Sequence, residues 1–338
     1  MGKLGRAFGL GKKGKIGLAV EKPSYIAGEV VRGTIYVEVY EPIQCDALVL
    51  KATGKEKVEF RESHTETDGN GNTITEYEKH EDEKEFFKQK IVICAIPQTY
   101  MPGNYMYPFE YQLPVELPGV FRLESYASGH VDKLEAKIKY KFKATLDVGG
   151  FFSSDLKADC DLVVHERNLQ LIGPSEDSTT QNVNFLCCFN KGSCQLAVAM
   201  DKNVYLAGEV AQIQCQINNG SSVDITAMHC HLYQDITLQL KHGSSQVFTR
   251  EMATRAFPGV PAQSSSAQPQ PLPLASDHGL FLNPSTSGKL IQCAYRINVE
   301  CDIPWCPDVV LHLPVTLIAP EIPNASWVPA STDGYMAQ

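Results

Sequence analysis

The chain has 338 residues, of which 43% are hydrophobic and 20% are charged. At about 100–200 residues per domain this length predicts two domains, and the composition excludes wholesale disorder and a fibrous fold. Thirty basic against thirty-nine acidic residues give a formal net charge of -9, which argues against a general nucleic-acid binder. Any basic surface therefore has to be local.

The sequence offers no signal peptide and no membrane-spanning segment. Its start, MGKLGRAFGLGKKGK, lacks an apolar run, and no stretch approaches the ~20 apolar residues that a transmembrane helix needs. We therefore expect a cytoplasmic location, with peripheral association at the plasma or endosomal membrane as an option. The eleven cysteines should then be reduced and mostly buried.

Residues 1–14 predict a flexible, glycine-rich basic arm. Near an anionic lipid leaflet each of its cations would contribute about 1 kcal/mol, so the arm is a candidate membrane or phosphate contact. The alternative is a merely solvated basic tail. The cations concerned are Lys3, Arg6, Lys12, Lys13 and Lys15.

Two further interpretations apply to the same arm. Gly2 is a candidate for myristoylation, although Arg6 occupies the position where Ser or Thr is preferred. Gly9, Gly11 and Gly14 have GxGxxG spacing, but a nucleotide-binding loop must follow a buried strand and open a helix. This segment enters a predicted strand instead, so no nucleotide site is predicted.

An internal repeat organises the rest of the chain. The motif YIAGEV at residues 25–30 returns as YLAGEV at residues 205–210, and each copy leads into a strand whose apolar residues alternate with polar ones. Gly28 and Gly208 suit a turn position just ahead of the strand, because glycine can adopt a positive φ there if the turn needs one.

A second landmark also occurs twice. Residues 138–148 and 291–301 are alternating strands, and each leads to an acidic residue, Asp155 or Asp308, and then to an apolar exit strand. The duplication predicts an all-β protein with two tandem immunoglobulin-like β-sandwich domains. Their predicted bounds are residues 15–167 and 183–320, with a linker at 168–182 and a short tail at 321–338.

The two copies differ in one insertion each. In the first copy, residues 54–90 predict two charged strands around a DGNG turn, which we interpret as a projecting hairpin. In the second, residues 241–288 contain a Pro-, Gln- and Ser-rich stretch that predicts a flexible loop. The hairpin is a candidate partner-docking loop, with a solvated charged face as the alternative. Its candidate residues are Glu66, Asp68, Glu81, Asp82, Glu83 and Glu85.

Cysteine and histidine spacing does not predict a metal site. Cys187, Cys188 and Cys194 lack the spacing of a zinc knuckle, and His229 and His231 flank a cysteine on a strand that alternates between faces. S-acylation of Cys187 and Cys188 remains an alternative to a structural role. The sequence also lacks the motifs of common nucleophilic enzymes, so we predict no catalytic, cofactor-binding or metal-binding residue.

Several motifs together resemble the arrestin family. YIAGEVVRGTIYVEV, YPFEYQLPVELPG at residues 107–119 and IKYKFKATLDV are similar in order and spacing to an arrestin N-terminal domain. The run from LCCFNKGSCQLAVAM to LHLPVTLIAP is similar to the C-terminal domain of the α-arrestins, the arrestin-domain-containing branch. The resemblance covers about residues 15–320.

The resemblance implies a non-enzymatic adaptor that binds the cytoplasmic parts of membrane proteins in trafficking, endocytic sorting or signalling. It also implies links to sorting or ubiquitination machinery, but the Pro-Pro-x-Tyr motif that recruits WW-domain ligases is missing from the tail. The charged polar core of the visual and β-arrestins is not assigned to positions here. The alternative is a structural subunit of a retromer-type sorting coat.

Overall fold

The computed structural model describes residues 6–11, 13–67, 73–94, 98–123, 131–148, 155–186, 188–240, 245–322 and 336–337. In this part of the chain the regular secondary structure consists of strands, and no helix is present. The all-β prediction is therefore confirmed. The same residues therefore contain no helix that is long and apolar enough to span a membrane.

The first domain is a sandwich of two sheets. One has the strand order β1-β2-β4-β8-β25, and the other has the order β11-β10-β5-β6, with β7 and β9 added at its side. The strands are β1 (Arg6–Gly11), β2 (Gly14–Val20), β3 (Tyr25–Ile26), β4 (Val30–Val39), β5 (Ile43–Thr67), β6 (Thr73–Cys94), β7 (Gln98–Tyr100), β8 (Gly103–Gln112), β9 (Phe121–Leu123), β10 (Val131–Val148), β11 (Leu156–Leu162), β12 (Val164–His165) and the distant β25 (Met336–Ala337).

The second domain repeats the two-sheet arrangement. Its sheets have the orders β13-β14-β17-β20 and β15-β24-β23-β18-β19. The strands are β13 (Ser175–Phe185), β14 (Phe189–Met200), β15 (Val204–Leu206), β16 (Val210–Ala211), β17 (Ile213–Asn219), β18 (Ile225–Gln239), β19 (Ser245–Val260), β20 (Ser264–Pro269), β21 (Leu272–Pro273), β22 (Thr286–Ser287), β23 (Ile291–Asp302) and β24 (Val309–Ile318).

Alternation along the strands builds the core of each sandwich. In β17 every second residue from Ile213 is buried, and in β11 every second residue from Leu156 is buried, as the period-2 pattern predicts. The core of the first domain also needs one very small residue. A Cβ atom at Gly54 would lie 2.6 Å from the rings of Phe87 and Tyr140, so only glycine lets these rings pack against β5.

The repeated YxAGEV motif forms the same capped turn in both domains. Gly28 has φ 85° and Gly208 has φ 89°, which confirms their predicted turn positions. Glu209 accepts a hydrogen bond from the Leu206 amide at 2.8 Å and pairs with Lys202 at 2.9 Å. The carboxylate thus closes the turn from inside, because it satisfies an amide that the turn leaves unpaired.

The first copy uses the equivalent residues in the same way. Glu29 accepts from the Ile26 amide at 2.9 Å and pairs with Lys22 at 3.2 Å. The Lys22 ammonium also lies 5.8 Å from the centroid of the Tyr25 ring, within reach of a cation–π contact. The repeat therefore preserves a local network as well as a hydrophobic pattern.

Two segments predicted as irregular are strands. Ser175–Phe185 forms β13, so a strand begins within the predicted linker 168–182. Ser245–Val260 and Ser264–Pro269 form β19 and β20, where the sequence predicted a flexible loop. Both β13 and β20 are polar strands at the edge of a sheet, where hydrogen bonding to one neighbour suffices and hydrophobic alternation is weak.

The charged hairpin projects less than predicted. β10 pairs with β5 from Cys45 as far as Glu62, so the inner part of the hairpin belongs to the sheet. Only its outer part, from Ser63 to Thr67 and from Thr73 to Tyr77, extends beyond β10.

We predict that Gly208→Ala lowers the free energy of unfolding by about 1 kcal/mol, because alanine is strained at a left-handed φ. No atom lies within 4 Å of the added Cβ, so crowding does not contribute. Denaturant unfolding measures the change. Gly173→Ala is the matched control, since it also meets nothing within 4 Å but lacks the positive φ. Equal effects at the two positions would contradict this account.

Candidate functional site

The two domains meet at a segment of the second domain, residues 286–291, which we call the clamped segment. It is anchored in its own domain at its start, where the Tyr295 hydroxyl donates to the carbonyl of Asn283 at 2.7 Å. The Gln234 amide nitrogen in turn donates to the Tyr295 oxygen at 2.7 Å. This buried network holds the approach to the clamped segment rigid.

A buried carboxylate of the first domain binds the far end of the clamped segment. Glu56 of β5 has 0% exposure and accepts hydrogen bonds from the backbone amides of Lys289 at 3.1 Å and Ile291 at 3.3 Å. A Cβ atom at Gly288 would lie 2.5 Å from Glu56 Oε2, 2.8 Å from the carbonyl oxygen of Ile291 and 3.4 Å from Ile138 Cδ1. Glycine is therefore required both by the backbone of its own domain and by the contact with the first domain.

A second carboxylate binds the near end. Glu166, just after β12, accepts from the Ser287 amide at 2.6 Å, the Ser287 hydroxyl at 2.5 Å and the Thr286 hydroxyl at 3.0 Å. The Thr286 oxygen itself accepts from the Gly119 amide at 2.7 Å. We call Glu56, Glu166 and the clamped segment together the interdomain clamp.

Burial raises the pKa of Glu56 above its usual range. The backbone hydrogen bonds from residues 289–291 and the positive charge of Lys84 act in the opposite direction but do not outweigh desolvation. The fold therefore stabilises the protonated form of Glu56 relative to the unfolded chain.

A cleft of about 520 Å³ opens beside the clamp. It lies between the connection after β12 and strands β22 to β24, and Glu166 is among its lining residues. The connection is itself tied to the second domain, because the Thr316 hydroxyl donates to Gln170 at 2.8 Å and the Gly173 amide donates to Asn203 at 3.1 Å. The cleft therefore has defined walls from both domains.

The acidic run of the hairpin is largely neutralised by lysines. Glu81 pairs with Lys57 at 2.6 Å and with Lys79 at 3.0 Å, and these contacts lower the pKa of Glu81 to about 2. Glu83 pairs with Lys55 at 2.9 Å. The middle of the hairpin is thus a ladder of alternating charges and not an acidic surface.

The other predicted docking residues have different surroundings. Glu85 lies 3.7 Å from Lys88, and Asp82 is only 9% exposed. Glu66 is exposed at the outer end of β5, opposite Ile74, whose exposure is 52%. Asp68 lies outside the described residues. Charged and apolar side chains are therefore both accessible at the outer end of the hairpin.

The structure places only part of the predicted basic arm. Arg6–Gly11 forms β1, which pairs with β2, so this part is a strand and not a free arm. Lys13 is exposed, and Lys15 pairs with Glu38. Lys3 and Lys12 lie outside the described residues, as do the lipidation candidates Gly2 and Cys187, whereas Cys188 is exposed.

Sequence reasoning missed an apolar surface at one end of the second domain. Leu186, Phe189 and Trp305 are 56%, 62% and 76% exposed. Leu186 and Trp305 have φ of 50° and 63°, and the Leu186 amide donates to the Trp305 carbonyl at 3.0 Å. Strained backbone with large exposed apolar side chains is typical of binding surfaces. Periodicity gives no signal for such turns.

The cysteines of the described residues are mostly buried. No three His, Cys, Asp or Glu side chains in the part of the chain that the structure describes are grouped to hold a metal ion. Cys215 and Cys230 are buried in the second core, and burial raises the pKa of the Cys215 thiol to about 12. These cysteines are therefore suited to packing.

Comparison with known proteins matches both halves of the chain to one family. Residues 14–169 match the model of the arrestin (or S-antigen) N-terminal domain, and residues 190–322 match that of the C-terminal domain. Arrestin domain-containing protein A of Dictyostelium discoideum is 30% identical over 95% of this chain and 54% of its own length.

Two other relatives are more distant. Arrestin domain-containing protein B of the same organism is 21% identical over 89% of this chain and 45% of its own length. Human arrestin domain-containing protein 4 is 25% identical over 65% of this chain and 53% of its own length. The chain thus spans about half the length of the curated relatives it matches.

We predict that Glu56→Gln changes how stability depends on pH. A raised folded-state pKa means that Glu56 stabilises the fold below its unfolded-state pKa, and that this contribution is lost as pH rises through the folded-state value. The substituted glutamine stays neutral at every pH, so the stability of the wild type relative to the variant should fall as pH rises from about 4 to 7. Denaturant unfolding across this range measures it.

Glu116→Gln provides the control, because Glu116 is an exposed carboxylate of the same domain. Its stability profile should follow that of the wild type. Parallel profiles for the wild type and Glu56→Gln would show that the clamp does not favour protonated Glu56.

Proposed function

The chain belongs to the arrestin family, and from that premise we propose that it acts as an adaptor for the cytoplasmic parts of membrane proteins. Arrestin family proteins are generally non-enzymatic adaptors, and we propose the same for this chain. Trafficking, endocytic sorting or signalling is the proposed setting, in the cytoplasm and at membrane surfaces.

The interdomain clamp is the observation that carries this proposal. Two sandwiches joined only by a connection would present separate surfaces, whereas Glu56 and Glu166 fix the second domain against the first. A partner can then contact sheet edges, loops and the cleft of both domains at once. Binding through several modest contacts on one rigid frame suits an adaptor, because little ordering cost is added at binding.

We propose the outer end of the hairpin as one docking element. Glu66 and Ile74 lie opposite each other on β5 and β6 and are both exposed. The side chains that follow toward the sheet are engaged in the charge ladder, where β5 pairs with β10 as well as with β6, so the outer end is held by a three-stranded base. An extended cytoplasmic tail could contact this end while lying against the first domain.

We predict that proximity labelling with the full chain in native cells recovers integral membrane proteins with cytoplasmic tails. Ile74→Ser combined with Glu66→Lys should reduce their labelling by about tenfold, the effect of losing roughly 1.4 kcal/mol of binding free energy. Quantitative mass spectrometry of the labelled proteins provides the measurement.

Val247→Ser is the matched control, since Val247 is also β-branched, 58% exposed and on an outer strand, but lies in the second domain. Equal loss with this variant would contradict docking at the hairpin. Recovery of only soluble proteins would contradict the adaptor proposal. A constitutive large complex on size-exclusion chromatography would instead favour a structural subunit of a sorting coat.

We also propose that the basic residues near the N-terminus contact anionic membranes, with lipidation at Gly2, Cys187 or Cys188 as a second anchoring signal. Lys13 is exposed, in support of this role. Replacing Lys12, Lys13 and Lys15 with Ala should reduce flotation with phosphatidylserine vesicles, more strongly at low salt. Lys139→Ala, which removes an exposed cation of β10, is the control. Unchanged flotation of the triple variant would contradict membrane contact.

A further inference from the structure

One hydroxyl-bearing residue of the interdomain clamp is exposed at the surface. Ser287 is exposed, whereas its neighbours Thr286 and Gly288 are buried. Both the hydroxyl and the amide of Ser287 donate to Glu166, at 2.5 Å and 2.6 Å. An accessible serine therefore makes two of the hydrogen bonds that hold the near end of the clamp.

We propose that Ser287 is a phosphorylation site whose modification opens the interdomain clamp. A protein kinase would transfer the γ-phosphoryl group of a nucleoside triphosphate to Ser287 Oγ. The bond from the γ-phosphorus to the bridging oxygen breaks, a new P–Oγ bond forms, and the nucleoside diphosphate leaves. The hydroxyl proton passes to a base of the kinase. This inference concerns the clamp alone and holds whether or not the chain is an adaptor.

The chemistry at Glu166 explains why the clamp would open. Phosphorylation replaces the Ser287 hydroxyl donor with a group of about −1.5 to −2 charge that carries three acceptor oxygens. The carboxylate of Glu166 is also an acceptor, so the 2.5 Å hydrogen bond is lost and like charges face each other. The Ser287 amide would have to leave the same carboxylate as the two groups separate.

Two cations are close to the clamp in the sequence, Arg167 and Lys289. The Arg167 Nε atom donates to the Ala27 carbonyl at 2.9 Å, and Lys289 is exposed. Ser287 Oγ already contacts Glu166, so the phosphate forms directly beside a carboxylate. Recruitment of either cation would tighten the clamp, and slower amide exchange is the result that would reveal it.

The closed clamp also affects the modification itself. While the hydroxyl proton is donated to Glu166, Ser287 Oγ is not free to enter a kinase active site. The kinase would therefore act on a transiently opened segment, and the added phosphate would prevent it from closing again. Phosphorylation would then convert a brief opening into a stable one.

The test is hydrogen exchange on the full chain carrying phosphoserine at position 287, introduced during translation. We expect exchange at the amides of Ser287, Lys289 and Ile291 to become about tenfold faster or more, since each lost hydrogen bond to a charged group contributes roughly that factor. Phosphoserine at position 265 is the control, because Ser265 is exposed and its hydroxyl donates to the neutral Asn218 side chain. Unchanged or slower exchange at the clamp would overturn the proposal.

Two further readouts test its cause and its occurrence. In a Glu166→Gln background, the effect of phosphoserine at position 287 should shrink, because the like charge is gone. An undiminished effect would overturn the role of Glu166. Mass spectrometry of the chain purified from its native cells should find phosphate on Ser287, and its absence would overturn the assignment of the modification site.

Discussion

Burial of the Glu56 side chain between the two domains is the interaction on which the molecular architecture depends. A carboxylate with no exposed surface is tolerated only where its oxygens are satisfied, and here the donors are backbone amides of the other domain. Separation of the domains would leave both sides with unpaired polar groups until water reached them. The clamp is therefore a specific contact, in which the relative position of the domains is set by hydrogen-bond geometry.

The duplication explains how one chain acquires two such similar frames. Both copies keep the turn with a positive-φ glycine and a glutamate that caps it, and both use alternating strands to bury one face. What joins the copies is not duplicated. Glu56 and Gly288 each belong to one copy only, so the interdomain clamp is an asymmetric addition to a symmetric scaffold.

The sequence allowed the β-sandwich fold and the repeat to be predicted because periodicity and turn residues are local signals. The polar edge strands β13 and β20 could not be predicted in this way, since they are stabilised by backbone pairing and not by burial.

The role of Glu56 could not be predicted for another reason. It stands in a run of lysines and glutamates that is typical of a solvated face, and its partner Lys289 is 233 positions away. A single sequence carries no local signal for a contact between residues so far apart. The candidate hairpin was found, but its charge ladder depends on cross-strand register, which composition does not give.

At its far end the clamp binds main-chain atoms, and this determines which residues of the junction can be substituted as the sequence evolves. A backbone amide is present whatever side chain the residue carries. Lys289 and Leu290 can therefore be substituted without loss of the hydrogen bonds to Glu56, as long as the new side chains fit their own surroundings. The residues that cannot be replaced are Gly288, where no side chain fits, and the two carboxylates, Glu56 and Glu166. Surface residues around the junction can therefore change to suit new partners, while the angle between the domains stays the same.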